Sequence, residues 1–357
     1  MKVLLCERCF KGHRRIYMEW LAKTPEIEFY CYAPENIGVE DSHFFRCEES
    51  NDLKSLKTYL KWISGIKKIV KEKKIDIVHV LDTDSIMRFF GLGFENGKSV
   101  KYIFTYHHFF EGSFRKVSYR MISGKKNRTS VVHTESVRDS LNDYGIKNVE
   151  LCQYPAFQFE RIDAKDAVLC KEKWGVPKNI PTIGIVGGMN RYKNILEFLK
   201  VLSECQEEFH LLICGKEGDV TKEQLMEHTK DFSSQVTMDI RRLEEDEYEN
   251  AIAASDIVFC IYGLEFDGAS GPLTDGVCAK KMIIASDHKS LGQIVNDHCL
   301  GYTADCTKNS EIKECVEQAL KTIGVFRYNE KAKAYRESLT PEGFGKKYKK
   351  IYEKANS

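Results

Sequence analysis

The stretch 257-IVFCIYGLEFDGASGPLTDGVCAKKMIIAS-286 begins and ends with an apolar run, and the segment between is rich in glycine and acidic residues. The two runs, 257–262 and 281–286, are rich in β-branched or aromatic residues, which is typical of buried strands. Between them, 265-EFDGASGPLTDG-276 carries three carboxylates and three glycines, more than a turn needs. The pattern predicts a strand, a loop, a helix and a second strand, with a ligand site where the first strand ends.

Apolar runs of this kind recur along the chain and alternate with helix-patterned segments. They form two series, one on each side of residue 165: 2–6, 26–33, 76–82, 100–107, 129–134 and 149–155, then 182–188, 209–215, 235–241, 256–262 and 281–286. Alternating strands and helices predict parallel sheets covered on both faces. The predicted fold class is therefore α/β, with two Rossmann-like, doubly wound domains over 1–165 and 166–338.

Composition is consistent with two globular domains, since the chain has 357 residues, of which 42% are hydrophobic and 30% charged. No apolar run approaches the roughly 18 residues of a membrane span. The few apolar residues before Glu7 are too short a run for a signal peptide. Thirteen cysteines, an odd number, indicate reduced thiols. We expect a cytoplasmic protein.

The net charge of +1 argues against a nucleic-acid partner, but the charge is unevenly distributed. Residues 1–165 contain 28 Lys/Arg and 22 Asp/Glu. The basic excess is concentrated in 54–74 and 114–128. The first of these segments has apolar residues at helical spacing opposite a lysine-rich face. A surface helix with solvated lysines is the favoured interpretation, and peripheral contact with a membrane surface is the alternative.

Four segments resemble, in their order and spacing, the motifs of one enzyme family. They are 182-TIGIVGGMNRYKNILEFLKVL-202, 209-FHLLICGKEGD-219, 248-YENAIAASDIVFCIY-262 and 267-DGASGPLTDGVCAKKMIIASDHKSLGQIV-295. Together they are similar to the retaining GT-B glycosyltransferases of glycosyltransferase family 4, and the resemblance covers nearly the whole chain. It implies two Rossmann-like domains facing a cleft. It also implies that a C-terminal helix, 339–357, crosses back to the N-terminal domain.

In the family, two carboxylates with seven residues between them hold a nucleotide-sugar donor, and Asp267 and Asp275 match this spacing. Asp275, on the first turn of a helix, would accept hydrogen bonds from the ribose hydroxyls. Asp267 would reach the hexose and is a catalytic candidate, with Glu265 as the alternative. The family usually has glutamates at both positions. Residues between the acids would bring backbone N–H groups to the sugar and diphosphate, and they are Gly268, Ser270 and Gly271.

The diphosphate of such a donor requires positive charge. Lys193 matches a lysine of the family, whereas Gly188 stands where the family has an arginine. Arg191, in the same loop, is the substitute cation, and Gly188 would donate its backbone N–H. Lys193 is also a catalytic candidate, because the leaving diphosphate gains charge as the glycosidic bond breaks. Contacts with the base would come mainly from the backbone near Gly215–Gly218 and Arg241–Leu243.

In the N-terminal domain, the resemblance points to a strand-end histidine in 105-TYHHFF-110, and His107 matches it better than His108. This histidine would lie beside the donor sugar and is the third catalytic candidate. Gly12 matches a glycine near the phosphates. Candidates for the acceptor side or for either substrate are His13, Arg14, Glu135 and Ser136. We expect a packing role for His79 and for the tail residues Phe344, Tyr348 and Tyr352.

No metal is expected. Cys6-Glu-Arg-Cys9 is a CxxC without a second pair at zinc-ligand spacing. The sole DxD of the N-terminal domain is 82-DTD-84, and the resemblance implies an enzyme that uses side-chain cations instead. Loss of activity on chelation would move attention to Asp82 and Asp84.

The predicted function is that of a metal-independent, retaining hexosyltransferase. The donor would be a nucleotide sugar of the GDP-mannose or UDP-glucose type, and the acceptor a glycan, lipid or other hydroxyl compound. Alternatives that share the fold are a nucleotide-sugar epimerase, a glycosyl phosphorylase and a non-catalytic nucleotide-sugar-binding protein. A nicotinamide dehydrogenase is disfavoured because the loop after the first strand lacks GxGxxG.

Overall fold

The computed structural model describes residues 1–357 except 11–13, 49–54, 96–99, 108, 267 and 269. The chain folds into two compact units. One comprises residues 1–157 together with 341–357, and the other comprises residues 158–340. The boundaries at 165 and 339 expected from the sequence differ from these by eight and two residues, respectively. The difference at 165 arises because the short helix Phe159–Asp163 packs within the second unit.

The first unit is built on a parallel sheet that has seven strands in the described part of the chain. In chain order the strands are β1 (Lys2–Cys6), β2 (Glu28–Ala33), β3 (Phe44–Arg46), β4 (Ile77–Val80), β5 (Lys101–Tyr106), β6 (Arg128–Val132) and β7 (Val149–Leu151). Their order in the sheet is β3-β2-β1-β4-β5-β6-β7. The direction of winding therefore reverses between β1 and β4, and ligands of doubly wound sheets bind at such a reversal.

Helices cover both faces of this sheet. They are α1 (Arg14–Ala22), α2 (Leu56–Lys73), α3 (Ser113–Ser123), α4 (Glu135–Asp143) and the C-terminal helix α14 (Pro341–Asn356). Helix α2 confirms the predicted amphipathic helix: Trp62, Ile63 and Ile66 are on its buried face, whereas Leu56 and Leu60 are exposed. Ser55 caps it by accepting from the backbone N–H of Thr58.

The tail aromatics pack as expected. Phe344, Tyr348 and Tyr352 are fully buried, and they belong to a core that α14 forms with α1 and the sheet. His79 is buried among them, with Nδ1 2.7 Å from Tyr352 Oη and Nε2 2.8 Å from Thr105 Oγ1. Burial lowers the pKa of His79 to about 3, so its ring is neutral. The predicted packing role of these residues is confirmed.

The second unit contains a parallel sheet that has six strands among the described residues. They are β8 (Thr182–Val186), β9 (His210–Gly215), β10 (Val236–Ile240), β11 (Ile257–Cys260), β12 (Met282–Ser286) and β13 (Gly301–Ala304). The order β10-β9-β8-β11-β12-β13 places the reversal between β8 and β11. Four of these strands, β8, β9, β11 and β12, are buried along their whole length, as parallel strands between two helical layers must be.

The helices of the second unit pack on both faces of its sheet. They are α5 (Phe159–Asp163), α6 (Ala167–Lys173), α7 (Ile195–Ser203), α8 (Lys222–Thr229), α9 (Glu245–Ala254), α10 (Gly271–Cys278), α11 (Lys289–Asp297), α12 (Asn309–Thr322) and α13 (Glu330–Ser338). Four 3₁₀ turns complete the described secondary structure of the chain: Asp41–His43, Asp84–Phe89, Arg191–Lys193 and Lys230–Gln235.

All thirteen cysteines are free thiols, and most of them are buried. Cys6 and Cys9 are both buried. Among the described residues, no group of three or more His, Cys, Asp or Glu side chains is arranged to hold a metal ion. In the same part of the chain, no helix combines the length and apolar character needed to cross a membrane.

Candidate functional site

The residues predicted to bind the donor diphosphate and ribose lie where the second sheet reverses. The loop after β8 contains Gly187 and leads to Lys193, and the loop after β11 leads into α10, which carries Asp275. A Cβ atom built on Gly187 would lie 3.3 Å from Lys193 Nζ and 3.9 Å from Pro272 Cγ, in the first turn of α10. The glycine turn, the lysine and the helix start are thus brought together, in the position where doubly wound sheets bind ligands.

Asp275 is a buried carboxylate, with only 5% of its surface exposed. It is the fifth residue of α10, so it lies one turn further into the helix than the sequence predicted. The helix begins earlier because Ser270 caps it and Pro272 occupies its first turn. Tyr248 Oη, from α9, donates to Asp275 Oδ2 over 2.8 Å. Sequence reasoning missed Tyr248, and nothing in its pattern distinguishes it from a packing tyrosine.

Burial raises the pKa of Asp275 to about 7, against the lowering effect of the Tyr248 hydrogen bond; nearby Glu249 adds a smaller raising effect. A carboxyl group held in an apolar position without a cation is costly for the folded protein. Such groups are concentrated at functional sites. Asp275 is therefore a candidate ligand-binding residue.

The start of α10 is held by local hydrogen bonds. Ser270 Oγ accepts from the backbone N–H of Leu273 and lies 3.2 Å from Tyr262 Oη. A Cβ atom on Gly271 would lie 3.9 Å from Tyr248 Oη and 4.0 Å from Asp275 Oδ2, so Gly271 lies over the Asp275–Tyr248 pair. A side chain at this position would cover the carboxylate.

Lys193 is the buried cation of the site, with 5% of its surface exposed. Its Nζ donates to the backbone oxygen of Val186 over 3.2 Å and lies 5.8 Å from the centre of the Tyr262 ring. Burial lowers the pKa of Lys193 to about 8. No carboxylate is within ion-pair distance among the described residues. The ammonium is therefore available to an anionic ligand.

The glycine loops after β8 and β9 pack directly on each other. Gly215 has φ +133°, and a Cβ atom there would overlap the carbonyl oxygen of Gly187. The backbone N–H of Met189 donates to Lys216 O over 2.9 Å, and a Cβ on Gly218 would lie 2.7 Å from Met189 O. Gly215 thus has a packing role that the sequence did not predict, and it fixes the loop that carries Gly188.

The two predicted arginines are exposed. Arg191 donates its backbone N–H to Asp219 Oδ2 over 3.1 Å, and its guanidinium has no partner among the described residues. Arg241, by contrast, forms a bidentate ion pair with Glu247 at 2.6 and 2.8 Å, and it also contacts Asp239. Leu243 is half-buried in the following loop. Of these two arginines, Arg191 is the one whose guanidinium has no partner in the described part of the chain.

The loop before α10 is partly described. Asp267, the predicted hexose-binding acid, lies outside the described residues. Gly268 has open space where a Cβ would point. The alternative acid, Glu265, is exposed, and its carboxylate lies against Gly263. Phe266 stacks on Tyr192 with ring centres 5.3 Å apart.

In the first unit, His107 follows β5 and pairs with a second histidine that the sequence did not indicate. His107 Nε2 donates to Leu81 O over 2.8 Å, and His133 Nδ1 donates to Cys152 O over 2.8 Å. The remaining nitrogens, His107 Nδ1 and His133 Nε2, are 3.2 Å apart. Because both carbonyls can only accept, this contact is a hydrogen bond when one of the two rings carries a second proton.

Charged side chains are also buried where the first sheet reverses, and the sequence did not single out Glu7 and Arg8. Glu7 Oε1 accepts from the backbone N–H groups of Arg8 and Cys9, at 2.7 and 3.1 Å. Arg14 Nη1 forms an ion pair with Asp82 Oδ2 at 2.7 Å and lies 3.8 Å from Glu7 Oε1. Burial and the Asp82 charge raise the pKa of Glu7. Asp82 is thus paired with an arginine in the free protein.

The remaining candidates of the first unit are dispersed. Asp84 Oδ2 accepts from the backbone N–H of His107 over 3.0 Å. Glu135 forms an ion pair with Arg138 one turn further along α4, and Ser136 lies beside it. Gly12, His13 and His108 lie outside the described residues.

Comparison with known proteins places this arrangement in one structural class. A glycosyltransferase from Rickettsia africae has 17% sequence identity and a TM-score of 0.73, with 99% of this chain and 98% of that chain covered. The lipopolysaccharide outer core galactosyltransferase WaaB has 13% identity and a TM-score of 0.70, with 99% and 100% covered. Anabaena HepE in complex with UDP has 12% identity and a TM-score of 0.68, with 99% of each chain covered. The fold is the GT-B fold.

The family follows from two sequence models. The model described as glycosyl transferases group 1 matches residues 169–337, and the model described as glycosyl transferase 4-like matches residues 2–136. No curated protein matches the sequence. The chain belongs to the group 1 glycosyltransferases of the GT-B type.

Proposed function

We propose that this protein transfers a hexose from a nucleotide sugar to a hydroxyl of a glycan, lipid or other acceptor, and that the donor binds at the reversal of the second sheet. One observation carries the proposal. Two buried groups of opposite charge, Asp275 and Lys193, lie beside glycine-containing loops at the reversal of the second sheet. Asp275 and Lys193 are each 5% exposed, and neither has an ion-pair partner among the described residues.

Each group suits one part of a nucleotide sugar. A carboxylate accepts hydrogen bonds from both hydroxyls of a ribose, and Tyr248 holds Asp275 in one orientation. An ammonium beside a helix start neutralises a diphosphate. We assign the ribose to Asp275 and the diphosphate to Lys193. Gly188, Ser270 and Gly271 supply the close backbone approach.

The outer parts of the donor are assigned to the neighbouring loops. Arg191, whose guanidinium is free, adds charge for the diphosphate in place of the family's arginine. We assign the hexose to Gly268 and Asp267, with Glu265 as the alternative acid. The backbone near Gly215, Arg241 and Leu243 contacts the base. For the first unit, we propose a role for His107 in binding the hexose and for Gly12 in binding the phosphates.

The donor we propose is of the UDP-glucose or GDP-mannose type. Anabaena HepE, which has the same fold, has crystal structures with UDP and with UDP and glucose. These complexes support a nucleotide sugar as the class of the proposed donor.

We propose further that the reaction retains the anomeric configuration and requires no metal. We assign both Asp267 and Asp275 to the donor, so neither is a base for the acceptor. A leaving phosphate oxygen can take the proton of the acceptor hydroxyl on the same face. Lys193 and Arg191 provide the positive charge that stabilises the leaving diphosphate.

The experiment is a thermal-shift screen of UDP-glucose, GDP-mannose and their free nucleoside diphosphates, followed by turnover with EDTA present. A ligand that binds only the folded protein raises the melting temperature. We expect one donor to raise the melting temperature, and we expect turnover of that donor to survive EDTA.

NMR of the product should show an α-glycoside from an α-linked donor. A β-glycoside, or turnover restored only by Mg²⁺, would contradict these assignments. Donor hydrolysis or epimerisation without an acceptor would favour an epimerase.

A further inference from the structure

The first unit contains a cavity of about 650 Å³ at the carboxyl ends of β1, β2 and β3. Its wall includes Arg8 after β1, Pro34 after β2, Arg46 at the end of β3, and Trp62 from α2. This volume lies within the range of small-molecule pockets. The cavity adjoins β1, beside the reversal of the sheet, where ligands of this architecture bind.

Two buried donors in this wall have no acceptor. Arg8 and Trp62 are each 5% exposed. Arg8 Nη2 donates to Ser85 Oγ over 2.6 Å, but Arg8 Nη1 and Trp62 Nε1 are buried without a hydrogen-bond partner among the described residues. The guanidinium lies 5.3 Å from the centre of the Trp62 ring, so the two donors are neighbours. Buried N–H groups are rarely left unpaired, and two together indicate a site for an acceptor atom.

The acidic residues of the wall are neutralised by neighbouring bases. Glu48 accepts from Lys61 Nζ over 2.6 Å, and Glu35 accepts from Arg15 Nη1 over 3.1 Å. These acids therefore do not neutralise the positive charges of Arg8 and Arg46, which also line the cavity.

The arginines keep their charge available. Arg46 Nε donates to Pro34 O over 3.1 Å, and in the described part of the chain no carboxylate lies within ion-pair distance of Arg46 or Arg8. Burial lowers the pKa of Arg8, and the nearby charges of Asp82 and Glu7 oppose this only in part. An anion in the cavity would stabilise the buried guanidinium.

We propose that this cavity binds an oxyanion, a carboxylate or a phosphate group, carried by the saccharide that accepts the transferred hexose. Arg8 Nη1 and Trp62 Nε1 donate to the anion, and Arg46 adds charge at the exposed rim. Hydrogen bonds from a charged donor to an anion are stronger than those between neutral groups, so the cavity selects an acidic acceptor over a neutral one. The identity of the ligand as an acceptor rests on the proposed function.

The test is calorimetry of the full chain, without donor, against glucuronic acid, glucose 6-phosphate, glucose and inorganic phosphate. We expect at least one charged sugar to bind about tenfold or more tightly than glucose. Tighter binding of glucuronic acid identifies a carboxylate ligand, and tighter binding of glucose 6-phosphate identifies a phosphate ligand. Inorganic phosphate should bind more weakly than the charged sugar, because it lacks the saccharide.

Variants of the cavity residues test whether the charged sugar binds in this cavity. Arg8→Gln removes the buried charge, and Trp62→Phe keeps the ring while removing the N–H donor. Each should weaken binding of the charged sugar by about fivefold to tenfold, and Arg46→Gln should weaken it less. The matched control is Lys57→Gln, since Lys57 is exposed on α2 and does not line the cavity. It should leave binding unchanged. Trp62→Phe and Arg46→Gln keep the test decisive if Arg8→Gln fails to fold.

Equal binding of charged and neutral sugars would overturn the inference. So would the absence of binding, or equal effects of Trp62→Phe, Arg46→Gln and Lys57→Gln. Binding of UDP-glucose and GDP-mannose to the same preparations separates the two proposals. If a donor binds and no acidic sugar does, this inference alone fails; if no donor binds, the proposed function fails.

Discussion

Asp275 and Lys193 carry opposite charges, and burial shifts both of their pKa values toward neutrality, to about 7 and about 8. The proposed donor requires the charged form of both groups. A carboxyl whose pKa is raised loses its charge as the pH falls through 7, and an amine whose pKa is lowered loses its charge as the pH rises through 8. Both groups are charged together only in a narrow range of pH.

A plot of donor affinity against pH should therefore be bell-shaped, with its maximum between pH 7 and pH 8. Between pH 7.5 and pH 6 we expect the affinity to fall by about five- to tenfold, and above pH 8.5 it should fall again. Calorimetry with UDP-glucose or GDP-mannose measures the donor affinity at each pH. These donors are used because the terminal phosphate of a free nucleoside diphosphate would itself titrate near pH 6. In Asp275→Asn the acid side of the bell should disappear. An affinity that is constant from pH 6 to 9 would contradict the assignment.

The same carboxyl should reduce the stability of the free protein. Its pKa is raised in the folded state above the usual value of 3.8 for an aspartate, so the folded state holds the proton more strongly than the unfolded state. The raised pKa therefore stabilises the folded protein fully below pH 4, where Asp275 is protonated. This stabilisation is lost as the pH rises toward 7. The shift corresponds to at most about 4 kcal/mol.

We therefore expect Asp275→Asn to melt at a higher temperature than the wild type at pH 8, without ligand. The difference should shrink as the pH is lowered toward 4. Scanning calorimetry at several pH values measures it, and Glu265→Gln is the control because Glu265 is exposed. A variant that is less stable at pH 8 would mean that Asp275 has a structural role.

At the scale of elements, the loops after β8 and β9 pack directly against each other. Gly215→Ala would place a Cβ against the carbonyl of Gly187 at a φ of +133°, so we expect a loss of about 2–3 kcal/mol in the free energy of unfolding. The matched control is Gly268→Ala, where a Cβ meets open space. Urea denaturation of both variants checks this, and equal stabilities would contradict the packing described here.

The elements predictable from sequence were those with strong periodicity. Runs such as 209–215 and 281–286 became the buried strands β9 and β12, because a central parallel strand is apolar along its whole length. The short strands β3 and β13 were missed, since Phe44–Arg46 and Gly301–Ala304 are too brief for a pattern and are partly exposed.

The site was predictable only where residue type and spacing carry the information. Glycines and acids at fixed spacing led to Gly271 and Asp275. The partners Tyr248 and His133 come from elements distant in sequence, and only the fold brings them to Asp275 and His107. The buried charges of Glu7 and Arg8 could not be distinguished from solvated ones in the sequence.

At the scale of the whole molecule, the two units repeat one architecture with different contents. Both sheets are parallel and reverse next to their first strand. In the second unit the reversal holds Asp275 and Lys193, which suit a nucleotide sugar. In the first unit it holds a buried charge cluster beside a cavity, which suits an acidic acceptor.

The most direct test of this account is calorimetric titration of UDP and GDP into the wild type and Asp275→Asn at pH 7.5. If Asp275 holds the ribose, the variant should bind the preferred nucleotide about 2 kcal/mol more weakly, or roughly thirtyfold, as expected for a buried charge-assisted hydrogen bond. Glu265→Gln should bind it nearly as well as the wild type. Equal affinities of Asp275→Asn and the wild type would contradict the central claim that the donor binds at the reversal of the second sheet.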